Sequence, residues 1–216
     1  MKPFFTIVVP WRADHVPEER FVKMLDSLIE QEEKDFELLI YHDGELPFPV
    51  PKKIQERFDT LGVELIITDE WYRDWGHSLR DLGIKAAKGE YVILVNSDNL
   101  LYNVLHRMKK SIIKSGKQRF YTFPLKMIGL KIGLAIDGTN KAVMYTTGKP
   151  EDSVILKGNP VPRSVDVMSI VARAEAWKSI GGWHRKDINS DGQLVLELKE
   201  KYGCVVEGKT IMGEHW

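Results

Sequence analysis

The sequence contains a single cysteine, Cys204, among 216 residues, so no internal disulfide can form. A chain of this size without cross-links fits a reducing compartment, and the thiol reads as a small apolar member of a Cys-Val-Val strand. Neither charge is in excess, because Lys and Arg total 31 and Asp and Glu total 31. Bulk electrostatics therefore cannot hold nucleic acid or an anionic membrane, and any bound anion must meet a local site. No apolar run reaches the ~18 residues of a membrane span. Met1 leads into Phe4–Val9 and Pro10 rather than into the long apolar stretch of a signal peptide. The expectation is a soluble, cytoplasmic protein of one domain.

Two common site signatures are also missing. There is no Gly-x-Gly-x-x-Gly dinucleotide fingerprint, and Cys and His do not recur at zinc-site spacing. Gly203-Cys204-Val205-Val206-Glu207-Gly208-Lys209-Thr210 fits the P-loop pattern letter by letter. A P-loop, however, follows a strand and opens a helix, whereas here a helical pattern precedes it and little chain follows. Gly203 is read instead as a helix stop, and the residues after it as a strand and turn.

What is present is an alternation of short apolar β-rich runs with helical stripes, the pattern of strand-helix-strand units and a mostly parallel sheet. Phe4–Val9, Phe36–Tyr41, Val63–Thr68 and Tyr91–Val95 read as strands. Phe21, Leu25, Leu28 and Ile29 mark one helix, Ile54, Phe58 and Leu61 a second, and Val104, Met108 and Ile112 a third. Ser78 with Asp81 resembles a capping pair, which starts a helix over Leu79–Lys88. Between about 117 and 164 the alternation gives way to short β-like runs among Gly and Pro. Regularity returns with a strand over Val165–Ala172, a short helix to Ser179, the turn Gly181-Gly182-Trp183 and a helix over Gly192–Tyr202.

In an open parallel sheet, ligands bind at the carboxyl ends of the strands. Pro10-Trp11-Arg12, His42-Asp43-Gly44 and Asn96-Ser97-Asp98 all fall at such ends, so periodicity places two carboxylates and a guanidinium on one rim. That combination suits a cation bridging to phosphates. Each cluster also has a plain reading as turn punctuation, since Asp-Gly and Asn-Ser-Asp-Asn are ordinary loop sequences.

Read together, these residues resemble an inverting glycosyltransferase of family 2 with the glycosyltransferase-A fold. Phe5–Pro10 resembles the family's opening strand, and Asp35–Gly44 its second strand and acidic turn. Trp75-Gly76-His77-Ser78-Leu79-Arg80-Asp81-Leu82-Gly83 and the residues to Tyr91 resemble the helix leading into the metal strand. Ala172–Trp177 followed by Ile180-Gly181-Gly182-Trp183 resembles the turn beneath the acceptor site. Ser190-Asp191 stands where the family carries Glu-Asp, and Asn96-Ser97-Asp98 where it carries Asp-x-Asp.

The resemblance implies an α/β domain, its mostly parallel central sheet flanked by helices, with a nucleotide-sugar-binding half over 1–116 and an acceptor and catalytic half over 117–216. It implies Asp98 and His215 as ligands of a divalent metal, Mn2+ or Mg2+, and Asp191 as catalytic base. Pro10 and Arg12 would line the base and ribose pocket, Asp43 would hold the uracil edge, Asn96 would meet the ribose, and Arg80 would approach base or phosphate. Trp75, Gly76 and Ser97 complete the donor set, and Trp11, Trp75 and Trp183 offer indole faces to sugar rings. The implied donor is a nucleotide sugar, most simply a UDP-sugar, and the acceptor a saccharide, a lipid-linked group or a protein. Asn96 and His42 replace acidic residues, which leaves a catalytically silent nucleotide- or glycan-binding module as one alternative. A sugar nucleotidylyltransferase is another, although Pro10-Trp11-Arg12-Ala13-Asp14 lacks the glycines its first loop needs.

Overall fold

The computed structural model describes residues 2–134, 142–160, 165–187 and 190–216. In chain order the elements are β1 (Phe5–Trp11), α1 (Glu18–Ile29), β2 (Phe36–His42), α2 (Lys52–Leu61), β3 (Leu65–Ile67), α3 (His77–Ala86) and β4 (Tyr91–Leu94). They continue with β5 (Leu100–Leu101), α4 (Leu105–Lys114), β6 (Phe120–Thr122), β7 (Leu125–Ile128), β8 (Leu130–Leu134), β9 (Ala142–Thr146) and β10 (Ser153–Leu156). A 3₁₀ turn (Val167–Ser169) leads into β11 (Ile170–Arg173), followed by α5 (Ala174–Ser179), α6 (Ser190–Tyr202), β12 (Val205–Val206) and β13 (Gly213–His215).

Seven strands form the central sheet in the order β12-β6-β11-β4-β1-β2-β3. Every pairing is parallel except those of β11, which runs antiparallel to both β4 and β6. Strands from both sides of residue 116 therefore share one sheet.

Alternation along the strands builds that core on two faces. Ile7, Val9 and Ile93 point to a cluster with Phe21, Met24, Leu25 and Leu28 of α1, Phe58 of α2 and Met108 and Ile112 of α4. Val8, Val92 and Leu94 point the other way, onto Leu79 and Ile84 of α3, Trp177 of α5, Trp183, and Leu194 and Leu198 of α6. The strands are buried on both faces, as a parallel sheet covered by helices requires. In α1 the buried positions recur at 21, 24, 25 and 28, the three- and four-residue steps of one helical stripe. Glu18 and Glu19 occupy its first turn, where the helix dipole favours negative charge.

The chain leaves β1 towards β2 on one side and pairs with β4 on the other, so the strand order reverses between β1 and β4. Pairing of β1 with β4 ends at Val8 with Leu94, and only β2 follows β1 as far as Trp11. Pro10, which has no N–H to give a ladder, lies just past that divergence. The two strands part there and open a crevice at their carboxyl ends.

Three local expectations are corrected. The helix of the Trp75–Tyr91 segment starts at His77 rather than Leu79, and Ser78 and Asp81 do not cap it. Asp74 accepts from both the backbone N–H and the hydroxyl of Ser78, while Asp81 accepts from Trp183 N and pairs with Lys85. The run Val165–Ala172 is not one strand, because Asp166 accepts from Met168 N and folds the 3₁₀ turn ahead of β11. The final helix begins at Ser190. Gly203, at φ +70°, closes that helix, and Val205–Val206 pairs with β6, so the P-loop-like string forms no phosphate loop.

The irregular middle builds a second sheet in the order β10-β7-β13-β5, plus the hairpin β8-β9; residues 135–141 and 161–164 of that region lie outside the described residues. The C-terminal β13 runs between β5 and β7. A Cβ on Gly213 would overlap the Leu100 carbonyl, so this approach needs glycine. It brings His215 beside the segment that carries Asp98.

Candidate functional site

Two adjoining hollows open at the divergence of β1 and β4. The larger, about 430 Å³, is lined by Pro10, Trp11 and Arg12 from the end of β1 and by Asn96, Ser97 and Asp98 from the end of β4. Trp75, Gly76 and Arg80 add the start of α3, and His215 adds β13. The smaller, about 240 Å³, is lined by His77, Asp166, Trp183, Ser190 and Asp191. Trp75, Arg80 and Asn96 belong to both and form the wall between them.

Nine of the ten other residues named from the sequence thus meet around one hollow, and Asp191 stands in the next. Asp43 is the exception. The residue is 1% exposed, and its carboxylate accepts the backbone N–H groups of Tyr72 at 2.8 Å and Arg73 at 3.0 Å. It stands outside the lining and fastens the loop that carries Trp75. His42 is likewise internal: Ala13 N donates to Nε2 at 3.0 Å, and Nδ1 donates to Gly44 O at 2.8 Å. That imidazole ties the loop after β1 to the end of β2, as an acidic residue accepting only could not.

The three tryptophans read as sugar platforms separate. Trp75 is 71% exposed at the mouth of both hollows, held at φ +54°, an uncommon conformation for a bulky residue. Trp183 is buried at the wall of the smaller hollow. Trp11 stacks on Phe21 with centroids 4.3 Å apart and is a core residue whose edge reaches the hollow.

Arg80 carries the site's buried positive charge. Nη1 donates to Trp75 O at 2.9 Å, Nη2 donates to Asn96 Oδ1 at 2.6 Å, and the guanidinium lies 5.3 Å from the Trp183 ring. Burial lowers its pKa to about 10 against the opposing pull of Asp166, Asp191 and Asp74, so it remains charged at neutral pH. Arg12 is engaged differently, forked onto Asp14 through Nε and Nη2 at 3.1 and 2.7 Å.

Two carboxylates share the smaller hollow. Asp191, at the start of α6, has its pKa raised by burial and by the nearby charge of Asp166, partly offset by the Gly192 N–H at 2.8 Å. Asp166 goes the other way: burial is the largest single influence and opposes its charge, but the hydrogen bond and charge of His215, the Met168 N–H and the charge of Arg80 together outweigh burial and lower its pKa. Asp166 was not among the site residues expected from the sequence, because it lies in an apolar run with the spelling of a strand and folds a 3₁₀ turn instead.

Asp98 and His215 are the lining residues suited to a divalent cation. The Asp166 carboxylate accepts from His215 Nδ1 at 2.9 Å, which leaves Nε2 as the lone-pair nitrogen of the neutral ring, the arrangement in which histidine ligates metals. Burial works against a charged His215, while the hydrogen bond and charge of Asp166 and the charge of Asp98 raise its pKa, so a proton and a cation compete for Nε2. Among the described residues no three His, Cys, Asp or Glu side chains cluster as a metal cage. Two donors with open positions suit a cation that shares its shell with a ligand's phosphate oxygens rather than a closed structural site.

Comparison with solved structures shows the glycosyltransferase-A architecture. S. aureus TarS 1–349 in complex with UDP-GlcNAc superposes with a TM-score of 0.70 at 15% identity, covering 98% of this chain and 58% of that one. The same TarS fragment in complex with UDP gives 0.69 at 14% identity, covering 98% and 60%. The mannosyltransferase PcManGT from Pyrobaculum calidifontis, in complex with GDP-Man and Mn2+, gives 0.67 at 12% identity, covering 100% and 57%. The chain thus spans about three fifths of the length of these proteins. A comparison with curated proteins finds no match by sequence. Among the described residues no helix is long and apolar enough to cross a membrane. The family model described as "Glycosyl transferase family 2" matches residues 6–121, more than half of the chain, including the ends of β1 and β4 that frame the larger hollow. The chain belongs to glycosyl transferase family 2.

Proposed function

We propose that the chain transfers a sugar from a nucleoside diphosphate to an acceptor hydroxyl with inversion, the nucleotide in the larger hollow and the reacting sugar in the smaller. The observation that carries this reading is the partition of the site: the cation-suited pair Asp98 and His215 faces one hollow, the raised-pKa Asp191 the other, and Arg80 stands between them.

Each residue has a physical task in this scheme. Pro10, Arg12, Gly76 and Ser97 shape the nucleotide's seat, with Trp75 as its lid. Asp98 and His215 would hold Mn2+ or Mg2+, which when bound neutralises charge on the leaving diphosphate. Arg80 adds a fixed positive charge at the join of the hollows, where a desolvated guanidinium stabilises a departing phosphate oxygen more than water would. Asp191 takes the proton of the attacking hydroxyl. Its raised pKa brings it closer to the working pH and makes it a better base while it stays ionised. Residues 1–116 supply most of the nucleotide end, joined by His215, and residues 117–216 supply Asp166, Trp183 and the base Asp191 to the smaller hollow, which Trp75, His77, Arg80 and Asn96 complete. Asp43 acts on the donor only through the loop it fastens.

The nucleotide sugars bound by TarS and the mannosyltransferase support UDP- and GDP-sugars as the donors to try, and the Mn2+ of the latter supports a divalent cation. The test is release of nucleoside diphosphate from a panel of UDP- and GDP-sugars, with Mn2+ or with chelator. Release with Mn2+ that stops with chelator is the expected result. Metal-independent nucleotide binding with no release across the panel would favour the binding-module reading instead.

A further inference from the structure

The smaller hollow contains a histidine that the mechanism above does not use. His77 opens α3 and is 7% exposed. Its Nδ1 receives two donors that cannot act as acceptors: the Trp183 indole Nε1–H at 3.0 Å and the Arg80 guanidinium Nη1–H at 3.2 Å. Indole N–H and guanidinium only donate, so Nδ1 must present its lone pair and the ring proton must sit on Nε2. The imidazole plane lies nearly parallel to that of Trp183, at 15° with centroids 5.8 Å apart, and the two bonds to Nδ1 hold the ring's orientation.

The Nε2–H fixed in this way is buried and has no hydrogen-bond partner. Arg80 Nε, in the same wall, is a second buried donor without one. Leaving a buried donor unmade costs about 1–3 kcal/mol, so two such donors on the wall of one hollow would both gain from an acceptor oxygen there. The other polar groups of the hollow complement it. Asp166 and Asp191 accept when ionised, and Asn96 Oδ1 is occupied by Arg80. A ligand that both receives from a fixed N–H and gives to carboxylates, between Trp75 and Trp183, is a polyhydroxylated ring.

We propose that His77 is a specificity-determining residue whose Nε2–H donates to a ring substituent oxygen of the transferred sugar in the smaller hollow. The assignment rests on the transferase reading of the site. It makes His77 a neutral donor and never a base, in keeping with a pKa that burial and the Arg80 charge push down to about 4.

Calorimetry in Mn2+ with UDP, GDP and their common sugar conjugates separates the two ideas. In wild type at least one nucleotide sugar binds. His77→Leu is expected to weaken that nucleotide sugar about tenfold, the scale of one hydrogen bond, while moving the parent diphosphate less than twofold. His77→Gln, which keeps an N–H, recovers part of the loss. Equal losses for diphosphate and nucleotide sugar in His77→Leu, or no loss in either, would overturn the assignment. If wild type binds neither class of ligand, it is the transferase reading that falls, and this inference with it. Should the variants fail to fold, long-range ¹H–¹⁵N spectra of wild-type protein decide the tautomer: a protonated Nε2 whose signal shifts with the nucleotide sugar and not with the diphosphate is expected. A protonated Nδ1, or a shift identical for both ligands, overturns it.

Discussion

Arg80 Nη2 donates to Asn96 Oδ1 across 2.6 Å, a charged group bonded to a neutral amide at the position where the family's metal motif begins with a carboxylate. The amide satisfies the guanidinium geometrically without cancelling its charge. Asn96→Asp would turn the contact into an ion pair and add a second carboxylate beside Asp98. The expected outcome is tighter Mn2+ binding with weaker metal-free binding of UDP, each by about tenfold, one charge interaction in a partly buried site. Titration calorimetry with and without the metal measures both, and unchanged metal-free affinity would show that the Arg80 charge does not reach the nucleotide.

Asp166 holds His215 by Nδ1 and the 3₁₀ turn by Met168 N. Asp166→Ala is expected to weaken Mn2+ binding in the presence of UDP by about 10- to 100-fold, the usual effect of removing a carboxylate behind a metal-bound histidine. Manganese electron paramagnetic resonance reads this directly. A variant that loses stability but binds Mn2+ as before would reduce Asp166 to a cap.

Gly213→Ala places a methyl against the Leu100 carbonyl and the Met168 side chain, where β13 passes β5. The expected cost is about 2 kcal/mol or more of stability, together with weaker metal binding as His215 moves away from Asp98. Chemical denaturation supplies the first quantity. A variant as stable as wild type would mean that the strand gives way freely.

His77 also makes stability depend on pH. Its folded pKa lies near 4 against an ordinary 6.5, so between these values the unfolded chain binds a proton that the folded chain refuses. Stability from this group is complete above about pH 7 and is lost as pH falls. The loss between pH 7 and pH 5 should be about 2 kcal/mol. The difference between wild type and His77→Gln in urea titrations at the two pH values isolates it. Parallel pH profiles would show that the imidazole titrates normally.

The rim was legible in the sequence because periodicity places strand ends closely enough to say which residues gather there, though not which residue is the last. Pro10, Arg12, Asn96, Ser97 and Asp98 follow runs of buried residues whose lengths set their place at the opening between β1 and β4. What could not be read depends on partners distant along the chain. The tautomer of His77 is set by Trp183, 106 residues away, and the setting of His215 by Asp166, 49 residues away. Asp43 could be placed at a strand end but not oriented, because Asp-Gly after a strand has the same spelling whether the carboxylate faces a crevice or the backbone of Tyr72 and Arg73. Trp11 was read as a loop platform because the strand's last residue cannot be told from the loop's first until Phe21 is seen stacked on it. The capping of α3 passed from Ser78 and Asp81 to Asp74 because Gly76, at φ +78°, turns the chain two residues earlier than a cap at Ser78 would.

Asp191 ties the account together, since burial that raises its pKa also makes its charge a burden on the fold. Asp191→Asn is expected to stabilise the protein slightly above the carboxylate's pKa, where the folded state holds an ion it disfavours. The wild-type rate should rise with pH through that raised pKa, its acid limb displaced upward from the ordinary value of 3.8. The most direct test is turnover of this variant with the nucleotide sugar that wild type uses, beside its affinity for the diphosphate. In Asp191→Asn kcat is expected to fall by at least about 100-fold, with the diphosphate Kd within twofold of wild type. Wild-type turnover by Asp191→Asn would contradict the role of Asp191 as base.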